Sequence, residues 1–366
     1  MKSSRHLIHI ARNLMTACVV GSLLTACNTL GPAAIRGGRL DYNQAITETN
    51  NQQILMAVIH NRYVEQGSLL AVASITANVR VTAGAGVQLG VGDFDNYAGN
   101  LVPFSASTVY EENPTISYTP VAGEKYIRQV MSPLPVSALA RLAGTMTDPA
   151  PIYTVLVSSI NGIYNPDFLF SSVEPDPRFS RFVSIMTELT RMNRLHWVEA
   201  PLHSGNFTVV IDHYAPTYTP EVKELLQLLG LPAPKDHSSV VILPVSAALD
   251  GRDSGGIGMT TRSVYRLVEI LSAAIELPEQ DQGNGVTADY PPSGPVGNKL
   301  RIHYAKAKPE RAAIAVRHRD GWFFIDDKDQ ATKRYFRLLT TLWSVEIAES
   351  TANTSAAPVL TIPVSR

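Results

Sequence analysis

The feature that most constrains the fold is a period-two alternation of apolar residues with polar or small ones between Ala71 and Val91. Such an alternation predicts β-structure with one apolar face, because successive side chains of a strand point to opposite sides. The run is much longer than the usual strand of about five or six residues. It therefore predicts either one very long strand or two strands joined by the small residues from Ala83 to Gly86.

A second, less regular extended run covers Val102 to Thr119, and residues Asp93 to Asn100 would form the turn of a long β-hairpin. The pattern is typical of a soluble sheet with one face on a core. It is also typical of strands that cross a bilayer, for which about nine to eleven residues are enough. A single hairpin would leave backbone groups unpaired in lipid, so a membrane role requires several subunits that close a barrel. The soluble interpretation is preferred, because the apolar positions are rich in alanine and lack clear aromatic girdles.

Beyond Pro120, helical and extended patterns are mixed. Helices are predicted at Gly123–Met131, Val136–Thr145, after Pro175–Pro177, at Pro220–Leu229 before Gly230, at Ser263–Glu276 and at Lys328–Trp343 with Asp327 as its cap, in addition to an earlier helix at Tyr42–Tyr63. Strands are predicted at Tyr153–Ile160, Leu195–Glu199, Phe207–His213, Val240–Leu243, Ala312–Arg317, Trp322–Asp326 and Val359–Val364. The Asp-Gly pair before Trp322 predicts a hairpin. The sequence therefore predicts an α+β fold, in which an N-terminal helix and a long β-hairpin precede a mixed α/β globular region.

The N-terminal segment has the order of a secretory signal peptide, with three basic residues, then an apolar run, then small residues. The apolar run, from about Leu14 to Leu24, is too short for a spanning helix. Leu24, Thr25 and Ala26 precede Cys27, and this string resembles the lipobox of bacterial lipoproteins. The resemblance implies cleavage before Cys27 and acylation of that cysteine. The alternative is an ordinary signal peptide in which Cys27 merely lies near the cleavage site.

The residue after the cysteine bears on location. It is Asn28 and not aspartate, and the resemblance to sorted lipoproteins then favours the outer membrane of a Gram-negative cell. The resemblance also implies a diacylglycerol on the Cys27 sulfur and a third acyl chain on its α-amino group. Three acyl chains exceed the two signals that stable anchoring requires, so membrane lipid is the predicted partner of Cys27. The predicted organisation is a signal peptide at 1–26, an acylated tether at 27–40, a helix and hairpin region at 41–120, an α+β globular region at 121–350 and a loose tail at 351–366.

Composition excludes several classes of function. The chain has 31 Lys and Arg against 32 Asp and Glu, with no long run of either sign, so nucleic acid is not a predicted partner. Cys18 and Cys27 are its only cysteines, and Cys18 lies in the predicted signal peptide. Disulfides, thiolate metal sites and cysteine nucleophiles are therefore excluded from the mature chain. No later segment has eighteen consecutive apolar residues, so no spanning helix is predicted.

Ser254 is the one residue in a string associated with catalysis. The string Asp-Ser-Gly-Gly at 253–256 surrounds the nucleophile in trypsin-like proteases. That chemistry requires a histidine on a double β-barrel, and the helical patterns here argue against such a fold. The preferred interpretation is a turn that leads into the helix at Ser263, in which Asp253 accepts backbone hydrogen bonds.

Histidines and acidic residues do not predict a metal site. The histidines considered are His196, His203, His213, His237, His303 and His318. They show neither the i, i+4 helical pairing nor the tight clustering that zinc or iron sites require, although His303 and His318 would meet if their strands were neighbours. Asp326, Asp327 and Asp329 lack the glycine and the distal glutamate of a calcium loop, so we expect them to cap a helix. Neither a metal nor a cofactor is predicted.

Several segments together resemble a family of proteobacterial outer-membrane lipoproteins to which no activity is assigned. They are Asp41–Ile46, Asn113–Pro120, Ser159–Gly162, Thr261–Tyr265 and Trp322–Asp327. The resemblance covers most of the mature chain. It implies a class and a location, but it transfers no catalytic residue.

These patterns predict a lipid-anchored outer-membrane or periplasmic lipoprotein with a non-catalytic binding or assembly role, through protein partners in the envelope or through self-association. The alternative is a subunit of an oligomeric outer-membrane pore or export complex that contributes the β-hairpin. A periplasmic hydrolase that uses Ser254 or a histidine is less favoured, because the sequence contains no catalytic constellation.

Overall fold

The computed structural model describes most of the chain beyond residue 39. The described residues are 40–67, 69–76, 79–87, 104–112, 115–121, 124–165, 176–199, 207–213, 220–233, 239–290, 297–351 and 360–363. The predicted lipidation site Cys27 and the lipobox residues Leu24, Thr25 and Ala26 lie outside them, as do the predicted turn at 93–100 and residues 352–359 of the predicted tail.

The protein has a mixed α+β fold. Its helices are α1 (residues 40–62), α2 (Glu124–Met131), α3 (Val136–Thr145), α4 (Ala150–Leu156), α5 (Pro177–Arg191), α6 (Pro220–Leu229), α7 (Val264–Ala273) and α8 (Gln330–Thr351). None of these described helices combines the length and the apolar content that a bilayer crossing needs.

The strands form four sheets among the described residues. They are β1 (Leu69–Thr76), β2 (Val79–Val87), β3 (Phe104–Glu112), β4 (Thr115–Val121), β5 (Val157–Ile160), β6 (Ile163–Tyr164), β7 (Leu195–Glu199), β8 (Phe207–Ile211), β9 (Val241–Ser246), β10 (Ile257–Thr261), β11 (His303–Ala305), β12 (Ala312–His318), β13 (Gly321–Asp326) and β14 (Leu360–Pro363). The sheet orders are β1-β4-β14, β2-β3, β6-β5-β10-β9-β8-β7 and β11-β13-β12.

The chain divides into two compact units. Unit 1 contains residues 40–50, the strands between residues 70 and 120, and β14. Unit 2 contains residues 51–69 and the described residues between 121 and 356. Helix α1 thus contributes its first part to unit 1 and its second part to unit 2.

The predicted long β-hairpin is present in unit 1. Strands β2 and β3 are antiparallel and pair in register from Val79 with Glu112 to Val87 with Phe104. The expected joint at Ala83–Gly86 is wrong, because these small residues are held extended by pairing with 105–108. The alternating run instead comprises the two strands β1 and β2. The predicted C-terminal edge strand is confirmed, since β14 pairs antiparallel with β4.

The six-stranded sheet carries the larger part of the core of unit 2. Its neighbouring strands are antiparallel, except that β10 and β9 run parallel. Alternate residues of β8 and β9 are buried, which matches the period of two for a sheet with one covered face. Helices α3 and α5 pack against this sheet, and α4 packs between them.

The smaller sheet of unit 2 is built on the predicted hairpin. Strands β12 and β13 are antiparallel, and Arg319 has φ +50° in the turn between them. Phe323 and Ile325 of β13 are fully buried in the same core as α7 and α8. The Tyr335 hydroxyl of α8 donates to the Leu267 carbonyl of α7 at 3.0 Å, which ties the two helices together.

In the middle of the chain one prediction is wrong and one strand was not predicted. The expected strand at Tyr153–Ile160 is helical as far as Leu156 and extended only from Val157. Pro151 lies in the first turn of α4, where its fixed φ favours a helix, and Tyr153 and Leu156 then face the core from one side. Strand β10 was not predicted, because four of its five residues are buried and its sequence shows no alternation.

Candidate functional site

The segment around Ser254 is a structural turn. Arg252–Ser254 forms one turn of 3-10 helix that ends at Gly255, which has φ +65°. The Ser254 hydroxyl donates to the Gly251 carbonyl at 2.7 Å. The expected role of Asp253 belongs instead to Asp250, whose carboxylate accepts from the Arg252 backbone N–H at 2.9 Å.

The buried amide of Asn161 holds this turn in place. Its Oδ1 accepts from the backbone N–H groups of Gly251 and Gly258, at 3.1 and 2.7 Å. Its Nδ2 donates to the carbonyls of Leu229 and Gly256, at 3.0 and 3.2 Å. An asparagine amide has two acceptor positions and two donors, so all four are used. The role of Asn161 is therefore to bind three backbone segments together.

Three of the six histidines considered above lie beside a carboxylate outside the candidate site. His196 and His213 approach opposite oxygens of Asp212, at 3.4 and 3.1 Å. His303 Nδ1 lies 3.0 Å from Glu276 Oε2. His203 and His237 lie outside the described residues.

His303 and His318 do not lie on neighbouring strands. Strand β13 lies between β11 and β12, so the two histidines are on strands that do not pair with each other. The register instead places His303 opposite Phe324 and His318 opposite Gly321.

The acidic residues before α8 act at its N-terminus, although the capping residue differs from the predicted one. Asp329 accepts from the Thr332 backbone N–H at 3.0 Å and from its hydroxyl at 2.5 Å. Asp327, the predicted cap, pairs with Lys333 Nζ at 2.7 Å. Helix α8 begins at Gln330, two residues later than predicted, and this shift moves the cap from Asp327 to Asp329.

His60, Glu65 and His318 form the candidate site. Glu65 Oε2 lies 3.2 Å from His318 Nε2 and 3.9 Å from His60 Nε2. One ligand atom from each of the three residues lies within 4.8 Å of the other two. His318 Nε2 is fully buried and makes no hydrogen bond in the described part of the chain, because its approach to Glu65 has the distance of a bond without the alignment.

The C-terminal end of α1 brings His60 and Glu65 together. The Glu65 N–H donates to the His60 carbonyl at 2.8 Å, and the Val64 N–H donates to the Asn61 carbonyl at 3.4 Å. These two bonds define a Schellman motif, in which the residues at the positions of His60 and Glu65 usually make an apolar contact. Val64 has φ +55°, a conformation that glycine normally supplies. The motif here holds a histidine and a glutamate face to face.

Neighbouring side chains fix the orientation of the cluster. Arg319 Nη2 donates to Glu65 Oε1 at 2.8 Å, so the two carboxylate oxygens have different partners. The Arg319 guanidinium stacks over the Tyr63 ring at 4.2 Å. The Tyr63 hydroxyl donates to the buried carboxylate of Asp281 at 2.7 Å. The His318 ring contacts the Tyr63 ring, with the two centroids 5.0 Å apart.

Burial shifts two pKa values at the site. Desolvation lowers the pKa of His318, although Glu65 opposes the shift, so the neutral imidazole is favoured. The pKa of Tyr63 is raised, mainly by desolvation and then by its hydrogen bond to Asp281. Gly67 leaves room for His60, since a Cβ at residue 67 would lie 2.7 Å from His60 Nδ1.

An apolar groove adjoins the cluster. It has a volume of about 380 Å³ and lies among α1, α2, α7 and α8. Its apolar walls include Met56, Ala57, Val130, Met131, Val268 and Trp343. His60, Asn61 and Glu65 add polar groups to its lining. The Trp343 indole N–H donates to the Tyr126 hydroxyl at 3.1 Å and so joins two of the walls.

Comparison with protein-family models, with curated proteins and with solved structures finds no match to this chain. The site therefore has to be interpreted from its own geometry.

No sequence pattern indicates His60 or Glu65, and His318 stands out in the sequence only as one of several scattered histidines. His60 and His318 are 258 positions apart, and no sequence spacing relates them. A partial signal exists in the five-residue separation of His60 and Glu65 at the end of a predicted helix. A Schellman motif joins positions at that separation, but a valine at the position of Val64 hides the motif.

Proposed function

We propose that the protein is a lipid-anchored outer-membrane lipoprotein whose unit 2 binds a small amphipathic molecule. The groove beside His60 is the observation that carries the proposal. The expected ligand has an apolar body and a hydrogen-bonding head group, as a monoacyl lipid has. The role is binding, without catalysis.

The dimensions and lining of the groove support this ligand class. Its volume of about 380 Å³ falls within the usual range for ligand pockets, about 300 to 1,000 Å³. Apolar walls with a few polar groups are the usual composition of such pockets. Met56 and Met131 are flexible and polarisable, which suits an apolar chain of variable shape. Met131 and Ile127 of α2 are more than half exposed, at 56% and 54%.

The groove is tested by binding of a monoacyl lipid to the full chain, with the intrinsic tryptophan fluorescence, to which Trp343 in the groove contributes, as the signal. Ala57→Phe places a ring inside the groove, and we expect the affinity to fall by at least about tenfold, equivalent to about 1.4 kcal/mol. Ala138→Phe is the matched control, since Ala138 is a half-buried alanine of α3 outside the groove. Equal lipid affinity of both variants and the wild type would contradict the proposed ligand site.

The lipid anchor is tested separately by metabolic labelling with palmitate. Cys27→Ser is expected to lose the label and to leave the outer-membrane fraction. Cys18→Ser is the matched control, because Cys18 lies in the segment that the resemblance predicts to be removed. A Cys27→Ser protein that still carries the palmitate label would rule out Cys27 as the lipid anchor. The proposed ligand site in the groove would not be affected by that result.

A second candidate function rests on the β2–β3 hairpin. Its strands pair over nine residues each, and neither has a further strand partner among the described residues. A two-stranded sheet is marginally stable alone, so pairing with hairpins of other copies is a physical possibility for a pore or export complex. The mass of the gently extracted complex tests it. A ring-sized particle with a protease-resistant hairpin supports the pore, and a monomer with a cleaved hairpin excludes it.

A further inference from the structure

We propose that His60, Glu65 and His318 bind a divalent transition-metal ion of the zinc class. This inference goes beyond the proposed function, because its ligand is a metal ion and not a lipid, although His60 and Glu65 also line the groove. The site lies where the end of α1 meets the end of β12, and all three residues belong to unit 2.

The donor set is one that zinc uses. Two imidazole nitrogens and one carboxylate oxygen form a common set of three protein ligands, with a fourth position left for water or another molecule. Zinc-to-ligand bonds of about 2.0 to 2.1 Å place tetrahedral ligands about 3.3 Å apart. The separations of Glu65 Oε2 from His318 Nε2 and His60 Nε2 are 3.2 and 3.9 Å. The imidazole of His60, whose side chain is 25% exposed, would have to move closer to Glu65 to complete the geometry.

The buried nitrogen of His318, which makes no hydrogen bond among the described residues, is the second observation. Buried polar atoms in proteins nearly always have a partner, because burial without one is unfavourable. His318 Nε2 is buried without a hydrogen bond among the described residues, and its side chain is only 11% exposed. A metal ion held between this nitrogen and Glu65 would supply the missing partner.

The surrounding residues prepare the site for an ion. The Schellman motif holds His60 and Glu65 together through the backbone, independently of any metal. Arg319 binds Glu65 Oε1 and so leaves Oε2 to face the two imidazoles. A hydrogen-bonded second oxygen is a usual feature of carboxylates that bind metals. The charge of Arg319 opposes a cation, so we expect moderate affinity.

The other histidine groups of the described chain lack this convergence. His196 and His213 approach different oxygens of Asp212, and the His213 side chain is 83% exposed. His303 has one carboxylate partner, Glu276, and belongs to no group of three possible metal ligands among the described residues. These groups therefore serve as controls within the same protein.

Equilibrium dialysis of the full chain in detergent against Zn²⁺ tests the proposal. We expect one Zn²⁺ per chain, and we expect Mg²⁺ not to compete, because it prefers oxygen ligands. His60→Gln, Glu65→Gln and His318→Gln should each weaken binding by more than the roughly 10- to 100-fold typical of losing a residue that only orients a ligand. His303→Gln and His196→Gln should bind as the wild type does.

Two results would overturn the proposal. One is a wild-type chain that binds no Zn²⁺, and the other is binding that all three ligand variants retain. If His318→Gln is not folded, which the absence of cooperative unfolding would show, Zn²⁺ binding by the His60→Gln and Glu65→Gln variants decides the test. Zn²⁺ binding is measured without lipid, and lipid binding is measured with a chelator present, so either proposal can fail alone.

Discussion

Helices α1 and α6 end in the same backbone motif with opposite side-chain content. In α6, the Leu231 N–H donates to the Leu226 carbonyl at 2.8 Å, and Gly230 has φ +68°. The motif joins two buried leucines there, and glycine occupies the left-handed position. In α1 the equivalent positions hold His60, Glu65 and the β-branched Val64.

The difference between the two helix ends separates residues that contribute to the core from residues that we propose to bind a ligand. The α6 end follows every local preference of the motif, and its residues contribute to the core. The α1 end departs from two of them, since it places a polar pair where an apolar contact is usual and a valine where glycine is usual. Departures from local rules are expected at functional sites. The α1 end therefore deserves the first experiments.

The largest expected effect is on the apolar contact of α6. Leu226→Ala removes a buried side chain and should lower the free energy of unfolding by about 2 to 5 kcal/mol. His60→Ala, at the equivalent position of α1, should lower it by less than about 1 kcal/mol, because the partly exposed His60 and Glu65 are 3.9 Å apart and such a contact contributes little. Urea denaturation of both variants measures the contrast. Equal losses would show that the two ends are equally structural.

The next effect is on the left-handed residue of α6. Gly230→Val places a β-branched residue at φ +68°, which should lower the free energy of unfolding by about 1 to 3 kcal/mol. The new Cβ would also lie 2.9 Å from Arg252 Cδ, so that flexible side chain must move. Denaturation midpoints measure the loss. An unchanged midpoint would mean that the motif accepts a valine at its left-handed position without strain. Val64 occupies the same position in α1.

A smaller effect depends on pH and belongs to the α1 end alone. Because the fold raises the pKa of Tyr63, the protein should lose stability as pH rises above the unfolded value of about 10. Below that pH, protonated Tyr63 makes its full contribution to the free energy of unfolding. Tyr63→Phe should lower the unfolding free energy by about 1 to 2 kcal/mol near pH 8, since Asp281 loses its donor, and should reduce the alkaline loss. Unfolding measured from about pH 8 to about pH 11 compares the two proteins. Parallel pH profiles would contradict this role of Tyr63.

The smallest expected effect is a gain. Val64→Gly relieves the left-handed valine and should raise the free energy of unfolding by about 1 kcal/mol, because Val64 is 76% exposed and little packing is lost. Zn²⁺ affinity should stay unchanged, since the backbone bond from Glu65 to His60 is retained. Val64→Ala, which keeps a Cβ, is the control. A loss of Zn²⁺ binding in Val64→Gly would show that the strained valine is needed to shape the site.

Regular local patterns made much of the fold predictable. The helix before Gly230 and the hairpin around Arg319 are confirmed, because a left-handed glycine and a tight turn act within a few residues. The turn itself consists of Arg319 and Asp320, while Gly321 already belongs to β13 and pairs with His318. The prediction of a strand beginning at Tyr153 was wrong, because the β-branched and aromatic residues there favour a strand while the nearby prolines start a helix. Strand β10 carries no alternation, so only its neighbours in the sheet define it.

The candidate site was much less predictable. His60 and Glu65 belong to a helix end whose motif is hidden by Val64, and His318 arrives from a hairpin far along the chain. The position of His318, the third residue of the site, depends on the packing of the small sheet, in which Phe323 and Ile325 are buried. Such a constellation follows from tertiary structure and not from sequence spacing.

The pairing of β14 with β4 joins distant parts of the chain. Leu360 pairs with Tyr118, which is 242 positions earlier in the sequence. Contacts at such sequence separation form slowly, because a long loop must close first. We therefore expect the sheet of β1, β4 and β14 to be completed later in folding than the hairpin of β2 and β3, whose strands are much closer in sequence.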